Sequence, residues 1–322
     1  MKRRDVILGS VALGAVGPAL AQAWPSRPIR LLSGFAAGST ADLLARVYAE
    51  EVGRILPATI VVENRTGAGG AIATDAVAKA PGDGYTFLAG TNGPIVIVQQ
   101  LGGRLPFDPA RDLRPVAHMG SAPLILVASP TLRLTTYDAL VAAARRARPR
   151  MSFASTGIAS AGHLFGEMFV RKGGIEAEHV PYRSGVQAFP DVIEGRVEFM
   201  FTAAGQALPL IREGKLVPIA VSGARRLPSL PDVPTVREVE LAEIESEPWN
   251  MLFAPAATPD ALVRRMHAAV VQAQAAASVQ GVLSRDMFTS KPTSPDELVG
   301  VLAEERRRWL EIARVTGVTM PQ

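Results

Sequence analysis

Two short runs of small residues carry most of the chemistry that this sequence offers. One is Phe35-Ala36-Ala37-Gly38-Ser39-Thr40, between an apolar run and a helical pattern. The other is Ser155-Thr156-Gly157-Ile158-Ala159-Ser160-Ala161-Gly162, placed the same way in the middle of the chain. A loop of Gly, Ala, Ser and Thr at a helix start lets backbone N–H groups and hydroxyls approach an anion, with the positive end of the helix dipole behind them. Neither run contains Lys or Arg. Dipoles without a fixed cation suit a reversibly held carboxylate, partly through ordered water. Either run alone also fits plain turn geometry, whereas two, one in each half of the chain, fit a cleft.

Other constellations are missing their parts. There is no cysteine, which excludes disulfides, thiolate zinc, iron–sulfur clusters and thiol nucleophiles. His118, His163, His179 and His267 show no metal-ligand spacing, so neither a metal nor a cofactor is expected. Ser160 does not sit in G-x-S-x-G. The glycines of Gly67–Ile72 lack the third position of a dinucleotide fingerprint and read as a tight turn. Gly214-Lys215 is followed by Leu216, not by Ser or Thr. His163, beside the second run, is the one candidate base, and its simpler role is to order that loop.

The elements that would hold these loops follow a β/α rhythm. Strands are expected at Pro28–Phe35, Ala58–Asn64, Tyr85–Gly90, Leu124–Ser129 and Met151–Thr156, and helices at Ala41–Leu56, Ala71–Ala80, Thr135–Ala147 (capped by Thr135) and Gly162–Gly173. This order predicts parallel sheets covered on both faces. The end of the chain is helical: Thr258-Pro259-Asp260 opens one helix to about Leu283, and Ser294-Pro295-Asp296-Glu297 is a capping box that opens another. At 322 residues the chain has length for two domains.

Its first residues read as an export signal. Lys2-Arg3-Arg4 precede an uncharged stretch from Val6 to Leu20, too short and too rich in glycine for a membrane span, and small residues follow in an A-x-A pattern. Cleavage after Ala21 or Ala23 is expected, by a general or a twin-arginine route. Setting aside Lys2, Arg3, Arg4 and Asp5 lowers the formal net charge of +4 by two. The remaining basic residues are spread, with 6% aromatics, which excludes a nucleic-acid partner.

Longer motifs then carry a resemblance. "WPSRPIRLLSGFAAGSTADLLAR", "VVENRTGAGGAIATDAVAKAPGDGYTFLAGTNG", "LPFDPARDLRPVA", "HVPYRSGVQAFPDVIEGRVEFMF", "LPDVPTVRE" and "LFAPAATP" closely resemble the solute receptors of tripartite tricarboxylate transporters, the Bug family. The resemblance implies an α/β type II periplasmic-binding-protein (Venus flytrap) fold. Two domains would close on a ligand, residues 24–122 plus 246–322 and residues 123–245, joined near Ser121–Leu124 and Ile244–Trp249. It implies a monomeric periplasmic receptor that passes a small organic acid to transporter subunits in the membrane. An enzyme or a sensory receptor using the same cleft is the alternative.

By the same resemblance, the ligand would meet Phe35, Ala36, Ala37, Gly38, Ser39 and Thr40, then Ser155, Gly157, Ala159 and Ser160, with Asn92 facing the cleft. The chain also departs from the family pattern. Ser39, Thr40 and Ala41 replace Gly, Pro and Thr, and Ala159 replaces Gly. Thr202 fills a slot often held by Asp, and Asn250-Met251 stand where Tyr and Gly are common. The implied carboxylate cradle survives these changes, and the far side of the pocket is altered.

Overall fold

The apolar runs condense into two five-stranded sheets in the computed structural model, which describes residues 24–317 and residue 319. The expected signal and its cleavage sites lie outside the described residues. The chain opens with β1 (Ile29–Ser33), α1 (Thr40–Ile55), β2 (Ile60–Asn64), α2 (Ala71–Ala78) and β3 (Thr86–Thr91). A wide helical turn at Gly93–Ile97 leads through α3 (Val98–Gln100) and α4 (Pro109–Asp112) to β4 (Leu113–Ser121). The middle gives β5 (Leu124–Ala128), α5 (Tyr137–Arg146), β6 (Met151–Ser155), α6 (Ala161–Gly173), β7 (Ala177–Pro181), α7 (Gly185–Ile193), β8 (Phe199–Ala203), α8 (Ala204–Arg212) and β9 (Val217–Val221). The chain then returns through β10 (Trp249–Pro255), α9 (Asp260–Gln274), α10 (Ala277–Arg285) and α11 (Pro295–Thr316).

The sheets run β2-β1-β3-β10-β4 and β7-β6-β8-β5-β9. They are mixed, which corrects the expectation of parallel sheets. β1 is parallel to β2 and β3, and β6 to β7 and β8. β10 is antiparallel to β3 and β4, and β5 to β8 and β9. The reason is where the chain enters. β5 and β10 are each reached from the other sheet, so they begin at the edge where β3, β6 and β8 end.

Helix starts follow side-chain capping. Ser39, Ser160 and Ser184 each accept an N–H from the first turn of their helix, which satisfies a donor that the helix itself cannot. Ser294 and Glu297 form the expected capping box. Two expectations are corrected. Thr136, not Thr135, caps α5, and Pro259 rather than Thr258 stands at the cap of α9. The single long helix expected after it is two. α9 ends at Gln274, whose backbone carbonyl accepts from the Gln280 side chain 2.5 Å away while its side-chain Nε2 donates to the His118 carbonyl at 2.7 Å. One local and one tertiary side-chain bond accompany that break, in a run of alanines with no Gly or Pro to signal it.

Among the described residues, three apolar cores hold the layers. One joins the outer face of the first sheet to α1, α9 and α10 through Leu44, Tyr48, Val52, Val263 and Val270. A second lies under α7 and α8, around Ile125, Phe189 and Met200. The third is continuous across both sheets beneath α11, where Leu298 and Leu302 share a cluster with Ile95, and Trp309 stacks on Phe165 of α6 with centroids 6.4 Å apart. Each large side chain fully buried this way contributes roughly 1.5–3 kcal/mol. The chain passes between the sheets through Ala122-Pro123 and again through the segment that ends at Pro248. These two passages lie side by side. The fully buried Ser222 stitches them, accepting from the Leu124 amide at 2.9 Å and donating to the Ser246 carbonyl at 2.6 Å.

Candidate functional site

The facing edges of the two sheets enclose a cavity of about 120 Å³. That lies below the ~300–1,000 Å³ of clefts that take drug-sized ligands, so a solute of few atoms fits. Thr91 and Asn92 line it from the end of β3, Thr156 follows β6, and Thr202 and Ala203 end β8. Leu124 opens β5, and Trp249 and Asn250 open β10. No Asp, Glu, Lys, Arg or His is among the lining residues.

Two helices point their N-termini into this space. In α1 the Ser39 hydroxyl takes the Asp42 N–H (3.3 Å) and the Ser39 carbonyl takes that of Leu43 (2.9 Å). In α6, Ser160 does the same for His163 (3.3 Å) and Leu164 (3.1 Å). The amides of Thr40 and Ala41, and of Ala161 and Gly162, are left without a partner among the described residues, and all four residues line the cavity. Four free N–H groups at two dipole ends make a site for negative charge.

Of the residues expected at the site, Phe35, Ser39, Thr40, Asn92, Ser160 and Thr202 line the cavity. Ala36, Ala37, Gly38, Ser155, Gly157 and Ala159 do not, and several act as supports. The Gly38 N–H is turned to the Asp42 carboxylate at 2.9 Å, and its carbonyl accepts from Gln206 of the opposite domain at 3.4 Å. The Ser155 hydroxyl is held by Gly157 and by His179 Nε2 at 2.7 Å. The Ala159 N–H donates to His163 Nδ1 at 3.2 Å. His163 Nε2 faces Glu167 at 3.6 Å, so neither ring nitrogen serves the cleft and the ring orders the loop.

The His163 and His179 rings lie against each other, tilted by 35° with centroids 4.1 Å apart. Burial, and next the His163 ring, lower the His179 pKa to about 4. Burial, and next Lys291, do the same for His118, which bonds Ser121 beside the first passage between the sheets. Both values lie below the ~6.5 of an unfolded imidazole. Between them the unfolded chain holds protons that the folded chain rejects, so stability is complete above about pH 6.5 and falls as pH drops toward 4. Urea unfolding should show a loss of up to ~1.4 kcal/mol per pH unit for each histidine across that window. A flat profile there would remove both rings from the stability balance.

Sequence reading passed over Trp249, Phe288, Gln206 and Asp42 as site residues, and noted Asn250 only as a departure from the family pattern. Asn250 and Asn92 are 8% and 2% exposed, yet Asn250 Oδ1 and Asn92 Nδ2 have no partner. An enclosed amide left unpaired costs about 1–3 kcal/mol, so these atoms await a ligand or water. Asp42, 1% exposed, accepts from Gly38, from Asn64 Nδ2 at 2.7 Å and from Arg46 Nε at 2.9 Å. Burial pushes its pKa up, and the Arg46, Asn64 and Gly38 bonds outweigh burial and hold it below the ordinary value.

Comparison with known proteins gives this cleft its context. The family model described as tripartite tricarboxylate transporter family receptor matches residues 44–318. The chain belongs to this family. It is 32% identical to protein BugT of Bordetella pertussis over 308 residues, covering 95% of this chain and 94% of that protein. MatC of Rhodopseudomonas palustris, solved with bound malate, superposes with a TM-score of 0.85 at 28% identity, covering 90% of this receptor and 99% of that chain. A second R. palustris protein, solved with adipate, gives 0.83 at 31%, covering 92% and 99%. The fold is therefore the two-domain periplasmic-binding-protein architecture. Among the described residues no helix is long and apolar enough to cross a membrane.

In this receptor the domains meet at backbone distance. A Cβ on Gly69 would lie 2.3 Å from the Ile158 carbonyl oxygen, and one on Gly93 would lie 2.6 Å from that of Ala159. Across the cavity, a Cβ on Gly205 of α8 would lie 2.5 Å from the Asp286 Cα. Glycine at these positions is what lets the cleft shut this far.

Proposed function

We propose that this chain is a periplasmic receptor that captures a small organic acid between its domains and presents it to the membrane subunits of a tripartite tricarboxylate-type transporter, without transforming it. The observation that carries the reading is the pair of helix starts: four free amides, from Thr40, Ala41, Ala161 and Gly162, face one cavity with no charged side chain. The malate and adipate held by the two R. palustris relatives favour a carboxylate as the solute here as well. The proposed contacts are Phe35, Ser39, Thr40, Asn92, Ser160 and Thr202, with Ala36, Ala37, Gly38, Ser155, Gly157 and Ala159 shaping the loops that present them. The proposed domains are residues 24–122 plus 246–322 and residues 123–245. The receptor acts as a monomer, exported by the signal at its N-terminus. The engaged nitrogens of His163 leave the enzymatic alternative without a base in the cleft.

A thermal-shift screen of mono- and dicarboxylates, each beside its primary amide, tests this. An acid at about 100 times its Kd stabilises the fold by ~2.7 kcal/mol, a rise of about 5 °C for a chain of this size. The matching amide, which lacks the charge that the helix ends favour, should bind at least tenfold more weakly, a difference of ~1.4 kcal/mol. Product analysis after prolonged incubation should return the acid unchanged. Equal binding of acid and amide, or conversion of the acid, would reject the reading.

A further inference from the structure

The far end of the cavity is made of different chemistry. Along the first sheet, the cleft edge runs from the β1–α1 loop to Asn92 after β3 and then to Asn250 in β10, where Asn250 pairs with Thr91. Each step is one strand spacing, ~4.8 Å. The second sheet follows in the same order, from the β6–α6 loop to Thr202 on β8 and Leu124 on β5. The helix starts therefore lie at one end, and Asn250 lies about two strand widths away among Trp249, Phe288, Ala122 and Leu124.

This end offers no cation. It offers two carboxamides, nine-tenths buried or more, with Asn92 Nδ2 and Asn250 Oδ1 unsatisfied. A carboxylate placed here would lose its hydration among apolar walls and find nothing of opposite charge, and it could give nothing to an amide oxygen. A hydroxyl or a carboxamide both donates and accepts, so it answers both atoms. Turning both amides over together exchanges their roles and still presents one donor and one acceptor.

We propose that the solute is a monocarboxylate whose remote end carries an uncharged group that both donates and accepts hydrogen bonds, a hydroxyl or a carboxamide, received by Asn92 and Asn250. This rests on the carboxylate reading above and adds what the other end must be. Asn250 is thereby a specificity-determining residue.

Calorimetric titration of the purified full chain with matched four-carbon and six-carbon acids tests it. Each set holds the ω-hydroxy acid, the half-amide, the diacid and the plain alkanoate, and the six-carbon set adds the neutral ω-hydroxy amide. In at least one set, the hydroxy acid or the half-amide should bind at least tenfold tighter than both the diacid and the alkanoate. Asn250→Leu should shrink that margin to about threefold or less without weakening alkanoate binding, with circular dichroism confirming the fold. Asn250→Ala serves the same purpose should the first variant not fold. A diacid that binds tightest in both sets overturns the proposal, as does a margin that Asn250→Leu leaves intact or a failure of every probe to bind. The neutral ω-hydroxy amide separates this from the carboxylate reading. If it matches the hydroxy acid, the carboxylate reading fails while the far-end proposal stands. If the acids bind and it does not, the carboxylate reading stands whatever the ranking at the far end.

Discussion

Gly93→Ala is expected to weaken solute binding at least tenfold while leaving the unliganded receptor as stable as the wild type. The added methyl meets the Ala159 carbonyl oxygen at 2.6 Å, and the next neighbours are the Ala159 carbonyl carbon at 3.5 Å and the Gly69 carbonyl oxygen at 3.7 Å. The severe contact is thus made only across the cleft. Gly93 does not share the positive φ of Gly69 (58°), so alanine there adds no backbone strain that would blur the result. Overpacking of this kind costs ~1–3 kcal/mol where neighbours cannot move, and here both partners are main chain. The closed form alone bears that cost, so the fraction of receptor able to close falls and the apparent Kd rises in proportion. Titration with an acid found in the thermal screen measures it, and small-angle scattering should show less compaction at saturation. Gly205→Ala, whose Cβ would meet the Asp286 Cα, should act alike from the other side of the cavity. Unchanged affinity in both variants would mean that the domains need not approach this closely to hold the solute.

How much of this was legible in the sequence depends on which forces act locally. The loops Phe35–Thr40 and Ser155–Gly162 were readable because a helix start and its cap are written in adjacent residues, as Ser39 and Ser160 show. β4 and β10 were not assigned as strands. Pro115 and His118 break the apolar pattern of β4, and the strand is made by its partner in sheet order, not by its own periodicity. The mixed direction of the sheets follows from the chain crossing twice, a global fact with no local signal. Asn250 is the same case: its role depends on lying in register beside Thr91, more than 150 positions earlier in the chain. The straddling of both domains by α11 was equally hidden, since its stripe of Leu298, Leu302, Trp309 and Ile312 was readable while the surface beneath it was not. Asp42 did have a signal. Ser39-Thr40-Ala41-Asp42 follows the S-x-x-[D/E] capping pattern, in which the acidic side chain reaches back to an amide before the helix, here that of Gly38.

That carboxylate gives the other large expected effect. Asp42→Ala should cost about 2–4 kcal/mol of stability, because a charged acceptor with several donors is worth ~1.5–3 kcal/mol per bond and its loss strands the partners. Asn64 Nδ2 bonds both Asp42 and the Phe35 carbonyl (2.9 Å), so the loop would lose its tie to β2 as well as to α1. Arg46→Ala is the control. Its side chain is 48% exposed, so removing it should cost under ~1 kcal/mol even though it is the ion-pair partner. The contrast would show that Asp42 shapes backbone more than it balances charge. The pH dependence has a definite sign. Because the folded pKa is depressed, the contribution is fully present above the unfolded value of ~3.9 and is lost only as pH falls through the lower folded value. Urea unfolding should therefore give a constant gap between wild type and Asp42→Ala from about pH 8 to 5, closing only below about 4. A gap under ~1 kcal/mol, or one that shrinks between pH 8 and 5, would assign the loop's order to something other than this carboxylate. Since Phe35, Ser39 and Thr40 form one wall of the cavity, the variant should also bind its acid more weakly, at a temperature where it is still folded.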